Sequence, residues 1–220
     1  RSQVRRRRKP PPCLLKGGEV RVQSQISICN RALAHMGQTR FIRSLDEGSE
    51  EAETLRLHYD PVRRSLLSYR AWRFATMVSP LPKFTATVPG WSNVYALPAG
   101  CLRVLAVFGA GGAVDSDCGG APFEVLRLSS GRAIVSDVPD AVGRCIFDVT
   151  DPLEFPSLFC DALSWRLALE ICAPLTSKAA LRDNLAAHYM EALRCAVDAD
   201  AAEFCSSLPE WGDDYIRARD

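Results

Sequence analysis

Apolar positions along the chain change their period twice. Ile26, Cys29, Leu33 and Met36 recur at helical spacing and predict a first helix over about Gln25 to Met36. Ser24 stands where an N-cap hydroxyl would accept from first-turn amides. Gly37 stands where helices commonly end in a left-handed residue. A turn-like linker through Ser44, Leu45 and Asp46 leads to a second helix starting near Ser49. Glu50, Glu51 and Glu53 fill its first turn, where carboxylates suit the helix dipole. Ala52, Leu55, Tyr59, Val62, Leu66 and Tyr69 form its apolar stripe, with Arg56, Arg63 and Arg64 off it. Pro61 lacks a backbone donor and predicts a kink or a restart. The segment closes with Trp72, Arg73, Phe74 and Ala75.

Between Val78 and Asp151 the helical period is lost. Pro80, Pro82, Pro89 and Pro98 exclude long helices there. Leu102 to Phe108 reads as a strand, and Gly109 to Gly120 as a glycine-rich loop. Phe123 to Leu128 and Arg132 to Val135 read as a hairpin around Ser130-Gly131, and Cys145 to Val149 as a last short strand. This spacing predicts one small antiparallel sheet with one covered face. The helical period then returns. Ser157 to Ala173 is apolar nearly all round, which places it in the middle of a bundle. Pro174 ends it, and Ser177 is positioned to cap the next helix. That fourth helix, about Ala179 to Phe204, buries Leu181, Leu185, Tyr189, Ala192, Ala196 and Ala199.

The order of parts predicts an α+β fold, mainly α: a bundle of about four helices with a small antiparallel β subdomain inserted. The helices occupy residues 25–75 and 157–205, and the insertion 78–151. Residues 23–207 form one domain, 1–22 a disordered basic leader and 208–220 a C-terminal interaction tail. The 220 residues suffice for a core without metal or disulfide staples. No run reaches the ~18 apolar residues of a membrane helix. The basic N-terminus has no apolar stretch behind it and is not a secretory signal.

Charge and cysteines refine this picture. Residues 1–22 hold eight Lys/Arg and one acid, whereas the remainder holds 19 Lys/Arg against 25 Asp/Glu. A mildly acidic body disfavours a broad nucleic-acid-binding face. Arg5 to Pro12 cannot form a packed element. One reading makes it a nucleic-acid arm or targeting signal. The other makes it untranslated leader, since Lys16-Gly17-Gly18-Glu19 is what a purine-rich ribosome-binding site would encode. Val20 or Val22 would then be a GTG start. Of nine cysteines, Cys29, Cys101, Cys145, Cys160, Cys172 and Cys195 fall in apolar stretches, and no C-x-x-C pair occurs. Free thiols and a reducing site of synthesis are expected.

Several spaced segments resemble one family. They are Asn30 to Gly37 followed by Ser44-Leu45-Asp46, Tyr59 to Arg63, Trp72 to Ala75, and Tyr95 to Pro98 with Cys101 to Val104. Val149 to Pro152 with Phe155, Phe159 to Leu163, and Ala173 to Thr176 complete the set. In order and spacing, over roughly Gln25 to Phe204, the chain resembles tail tubular protein A, the head-to-tail adaptor of short-tailed bacteriophages. The basic leader and the Gly109 to Gly120 loop depart from that pattern. The resemblance implies a virion part made in the bacterial cytoplasm. It implies a homo-oligomeric ring of twelve subunits joining the portal protein to the tail nozzle protein, with DNA passing through the channel without specific binding. Such a ring needs head-to-tail contacts that close. A mildly acidic body suits a conduit that should not grip DNA.

Candidate chemistry is thin. His35, His58 and His188 are far apart in sequence, and no two share metal-ligand spacing. No H-E-x-x-H, P-loop or G-x-S-x-G motif occurs. Gly109-Ala110-Gly111-Gly112 lacks the third glycine of a dinucleotide turn and reads as a surface loop. Asp115, Asp117, Asp213 and Asp214 read as solvated acids. No catalytic, cofactor-binding or metal residue is assigned, and neither cofactor nor membrane contact is expected. Arg63 and Arg64 read as a solvated face able to pair with a neighbour's acids. Trp211, Tyr215, Ile216 and Arg217 are the other interface candidates, because aromatics and Arg are enriched at binding hot spots. The expectation is a structural connector without catalysis. The alternatives are a DNA-binding regulator that uses the basic N-terminal arm, and a small enzyme with an unrecognised site.

Overall fold

The computed structural model describes residues 23–109, 120–129, 131–176 and 179–203. Four helices, α1 (Gln25–His35), α2 (Glu50–Tyr69), α3 (Ser157–Leu175) and α4 (Ala179–Ala202), enclose six strands in chain order. These are β1 (Thr76–Pro80), β2 (Asn93–Ala96), β3 (Cys101–Phe108), β4 (Phe123–Leu128), β5 (Gly131–Ser136) and β6 (Val142–Phe147). The fold is α+β, mainly α.

Local chemistry sets the helix ends. The Ser24 hydroxyl accepts from the Ser27 amide at 3.1 Å, and the Ser27 hydroxyl accepts from the Ser24 amide at 3.0 Å. At the other end Gly37 takes φ +73°. Its amide donates to the Ala34 carbonyl and that of Gln38 to the Leu33 carbonyl, which satisfies two orphan acceptors of α1. The Asn30 amide group clasps both backbone groups of Ile42 at 2.9 Å, tying the linker to α1. Ser49 caps α2 through the Ala52 amide.

Pro61 neither breaks nor restarts α2, which runs unbroken to Tyr69. Leu57, whose carbonyl the proline cannot serve, is exposed, so water can take that acceptor. Trp72 to Ala75 do not extend α2. Instead Arg73–Ala75 is a separate 3-10 turn. The Trp72 indole N–H donates to the Leu66 carbonyl at 2.8 Å and Arg103 donates to the Ser68 carbonyl, closing the end of α2.

Helix α3 is the hub of the bundle. It packs against α1, α2 and α4 and buries Phe159, Leu163, Leu167 and Ile171. Pro174 lies inside its last turn, and the helix ends at Leu175, two residues beyond the expected Ala173. Trp72, Phe74, Phe155 and Phe159 form an aromatic knot at the α3 N-terminus, with Phe159 centroids 4.8–5.2 Å from the other three rings. Ser177, Ser130, Phe204 and Cys205 lie outside the described residues.

The β part holds two sheets where one was expected. Each is antiparallel and three-stranded, with orders β1-β6-β3 and β2-β5-β4. The hairpin around Gly131 forms as expected, with Leu128 opposite Gly131. Strands β1 and β2 were not predicted, because they sit among prolines. Pro80 is tolerated because it ends an edge strand. Leu102, Leu105 and Ile146 pack the first sheet onto the helical core. Tyr95, Val107, Ile134 and Ala141 fill a second core between the sheets. The Tyr95 hydroxyl donates to the Val138 carbonyl and accepts from the Ala141 amide, so its polar tip is satisfied inside that core.

Candidate interaction surface

Arg63 is not on a solvated face. Its side chain is 3% exposed, bonded to the Asp148 carboxylate, the Val149 carbonyl and Asp60. The guanidinium therefore joins α2 to the segment leaving β6. A helical stripe marks only which positions face the bundle axis, and Arg63 flanks that axis toward the β part. Arg64 is 58% exposed and reaches Asp148 at 3.3 Å, so it is paired within its own chain. Trp211, Tyr215, Ile216 and Arg217 lie outside the described residues, as do Asp115, Asp117, Asp213, Asp214 and most of the glycine-rich loop.

A second polar joint closes the far end of α4. Asp200 is buried and accepts from the Arg73 amide at 2.8 Å, with Arg70 at 3.3 Å. Arg70 and Arg73 also donate to the Val197 and Asp200 carbonyls near the end of α4. The Arg70 guanidinium lies 5.5 Å from the Trp72 ring centroid.

The histidines that are remote in sequence come together in part. His35 and His188 both stack on the Trp165 indole, at centroid distances of 3.4 and 4.7 Å. His35 also shares a hydrogen bond with the Ser164 hydroxyl. Burial, opposed by Asp161, lowers its pKa to about 4, so it is neutral at neutral pH. Among the described residues no group of three His, Cys, Asp or Glu could hold a metal ion, and no helix is long and apolar enough to cross a membrane.

The exposed apolar side chains point to a groove. Tyr69 was placed on the apolar stripe, yet it is 59% exposed, while Leu66 and Leu67 in the same last turn are buried. With Ala187, Met190, Leu193 and Val197 it lines a groove of about 450 Å³ between α2 and α4. Met190 is 61% exposed. Arg194 pairs with both Glu191 and Asp198 along the rim. Pairing draws the Glu191 carboxyl down and raises Arg194. On the other side of Tyr69, Arg166 bridges to Glu170 and lies 5.4 Å from the Tyr189 ring centroid. An apolar floor whose rim charges are paired within the chain suits contact with another apolar surface. The sequence held one signal for it: Met190 falls off the buried stripe of α4.

A scan of protein-family models finds no match to this chain, and neither does a search of curated proteins.

Proposed function

We propose that this chain is a ring-forming structural connector of a virion, similar to tail tubular protein A, linking a portal to a tail nozzle around a DNA channel. The observation that carries this reading is the order of parts: two helices, a β-rich insertion, two helices, with the matched residues at the joints. Asn30 holds the linker, Arg63 the joint to the β part, Trp72 and Phe159 the aromatic knot, and Tyr95 the second core. The chain performs no catalysis in this reading. Its contacts are made by exposed apolar side chains, with the Tyr69 groove between subunits and the segment 208–220 toward the portal.

Native mass spectrometry and negative-stain images of the chain, alone and with its portal, test this. Rings are expected, and a chain that stays monomeric beside the portal overturns the reading. Tyr69→Glu with Met190→Glu should leave the thermal midpoint unchanged and abolish rings. Deleting residues 208–220 should leave the body folded and weaken docking to the portal in a pull-down. Salt-dependent retention of DNA by the monomer would instead favour a regulator.

A further inference from the structure

The N-terminus of α3 and the end of α4 do not fill the space between them. Pro156, Leu158 and Phe159 line one side of a recess there, Ala196 and Ala199 of α4 line another, and Trp72 adds to the lining. Large side chains from α3 meet only methyl groups from α4, and about 170 Å³ is left open. Phe159 and Trp72 are each 1% exposed, whereas Leu158 is 42% exposed. Protein interiors hold few voids larger than a water molecule, so an apolar recess of this size invites an occupant.

Its chemistry limits that occupant. Asp200 and Glu203 complete the lining. The Asp200 carboxylate is already engaged by the Arg73 amide and the Arg70 guanidinium, and Glu203 is exposed. What the recess offers is apolar surface. Its size points to an aromatic ring, since an apolar cavity of about 150 Å³ takes up benzene.

The chain itself brings such a ring to the place. Ala196, Ala199, Asp200 and Glu203 share one face of α4 and its last residue. The helix ends at Ala202, so the chain leaves it at the edge of the recess. Phe204 is the next residue after Glu203, with consecutive Cα atoms about 3.8 Å apart. It also follows Asp200 by four, the spacing of one helix face. A ring this near has almost no loop to close, whereas a separate molecule would lose its translational and rotational freedom on binding.

We propose that the Phe204 ring seats in this recess of its own chain, against Leu158 and Phe159. The contact pins the root of residues 208–220, so that segment leaves the body from one fixed place. The inference holds whether or not subunits assemble.

The test uses the full chain. Phe204→Ala should lower Tm by roughly 3–6 °C, the low end for burying a phenylalanine at this chain length. Benzene should restore part of that loss in Phe204→Ala and leave the Tm of the unaltered chain where it is. Ala199→Phe fills the recess from α4 without touching the segment beyond it. In that variant chymotrypsin should cut the Phe204–Cys205 bond about tenfold faster, because cleavage tracks the unseated population. A rise in Tm of the unaltered chain with benzene would show the recess vacant and overturn the proposal. So would an unchanged Tm for Phe204→Ala, or unchanged cutting in Ala199→Phe with native circular dichroism. Protection of the Phe204–Cys205 bond that disappears on dilution would assign the recess to a second copy and equally overturn it.

Discussion

Replacing Arg63 by Met tests the joint between bundle and β part. The guanidinium is 3% exposed and serves Asp148, the Val149 carbonyl and Asp60. Asp60 is 68% exposed, so its share is at most about 1 kcal/mol. Asp148 is only 20% exposed, and the Val149 carbonyl loses a charged donor. Removing one member of a buried pair costs about 3–5 kcal/mol. Asp148 would keep Arg64 at 3.3 Å, which places the expected loss at the low end, about 3 kcal/mol. At this chain length each kcal/mol moves Tm by about 2–4 °C, so Tm should fall by roughly 6–12 °C. Arg64→Met, a mostly exposed control, should cost less than about 1 kcal/mol. Urea denaturation followed by circular dichroism gives these values. A double-mutant cycle with Asp148→Asn should return a coupling of about 2 kcal/mol. The pair Arg63→Met with Asp148→Leu should recover part of the loss, because apolar replacement of a buried ion pair is often neutral. A loss below about 1 kcal/mol for Arg63→Met, or a coupling near zero, would show that packing alone holds α2 to β6.

The His35 stack makes stability depend on pH. Its folded value, about 4, lies below the ordinary 6.5 because burial disfavours the charged ring. The stabilisation is therefore complete above pH 6.5 and is lost as pH falls from there through 4. Full linkage would give about 3 kcal/mol, and partial exposure reduces this to about 1–2 kcal/mol. His35→Gln should flatten that part of the pH–stability curve, and an unchanged slope would count against burial as the cause. Trp72→Phe keeps the ring packing but strands the Leu66 carbonyl, at a cost of about 1–3 kcal/mol in urea melts. An unchanged midpoint would mean that water replaces the indole. At Gly120 an added Cβ would lie 2.5 Å from the Val107 carbonyl oxygen. Gly120→Ala should therefore break the 2.7 Å hydrogen bond from the Ala121 amide to the Val107 carbonyl and destabilise by about 1–3 kcal/mol. Normal hydrogen-exchange protection of Ala121 in that variant would contradict the geometry.

The capped helices were legible because their signals are local. Ser24, Ser49 and Gly37 act on groups within a turn of themselves, and the all-round apolar character of α3 requires neighbours on every side. The hairpin at Gly131 was visible for the same reason. Strands β1 and β2 were not, since Met77 and Val78 are both exposed, Val94 and Tyr95 are both buried, and neither strand alternates. Arg63 was misplaced because its partner Asp148 is 85 residues away, and helical period carries no information about a contact at that separation. Tyr69 was misplaced because the face buried in the last turn is carried by Leu66 and Leu67, which a stripe counted from Ala52 does not single out. The Tyr69 groove needed both helices in place, since Tyr69 comes from α2 and the rest of its lining from α4.

A division of labour follows from these positions. Tyr59, Arg63, Trp72, Tyr95, Phe155 and Phe159, which carry much of the resemblance, are all at most 5% exposed and are engaged within the chain. They account for the scaffold, because each fixes a joint between elements that are distant in sequence. In the proposed ring, partner choice would fall to side chains the scaffold leaves outside, such as Tyr69 and Met190. Burying two such side chains yields about 1.5–3 kcal/mol each. A single contact of that size is too weak to hold a dimer against the cost of association. Every subunit of a closed ring gains the contact on both flanks, so an interface too weak for a pair suffices once the circle closes.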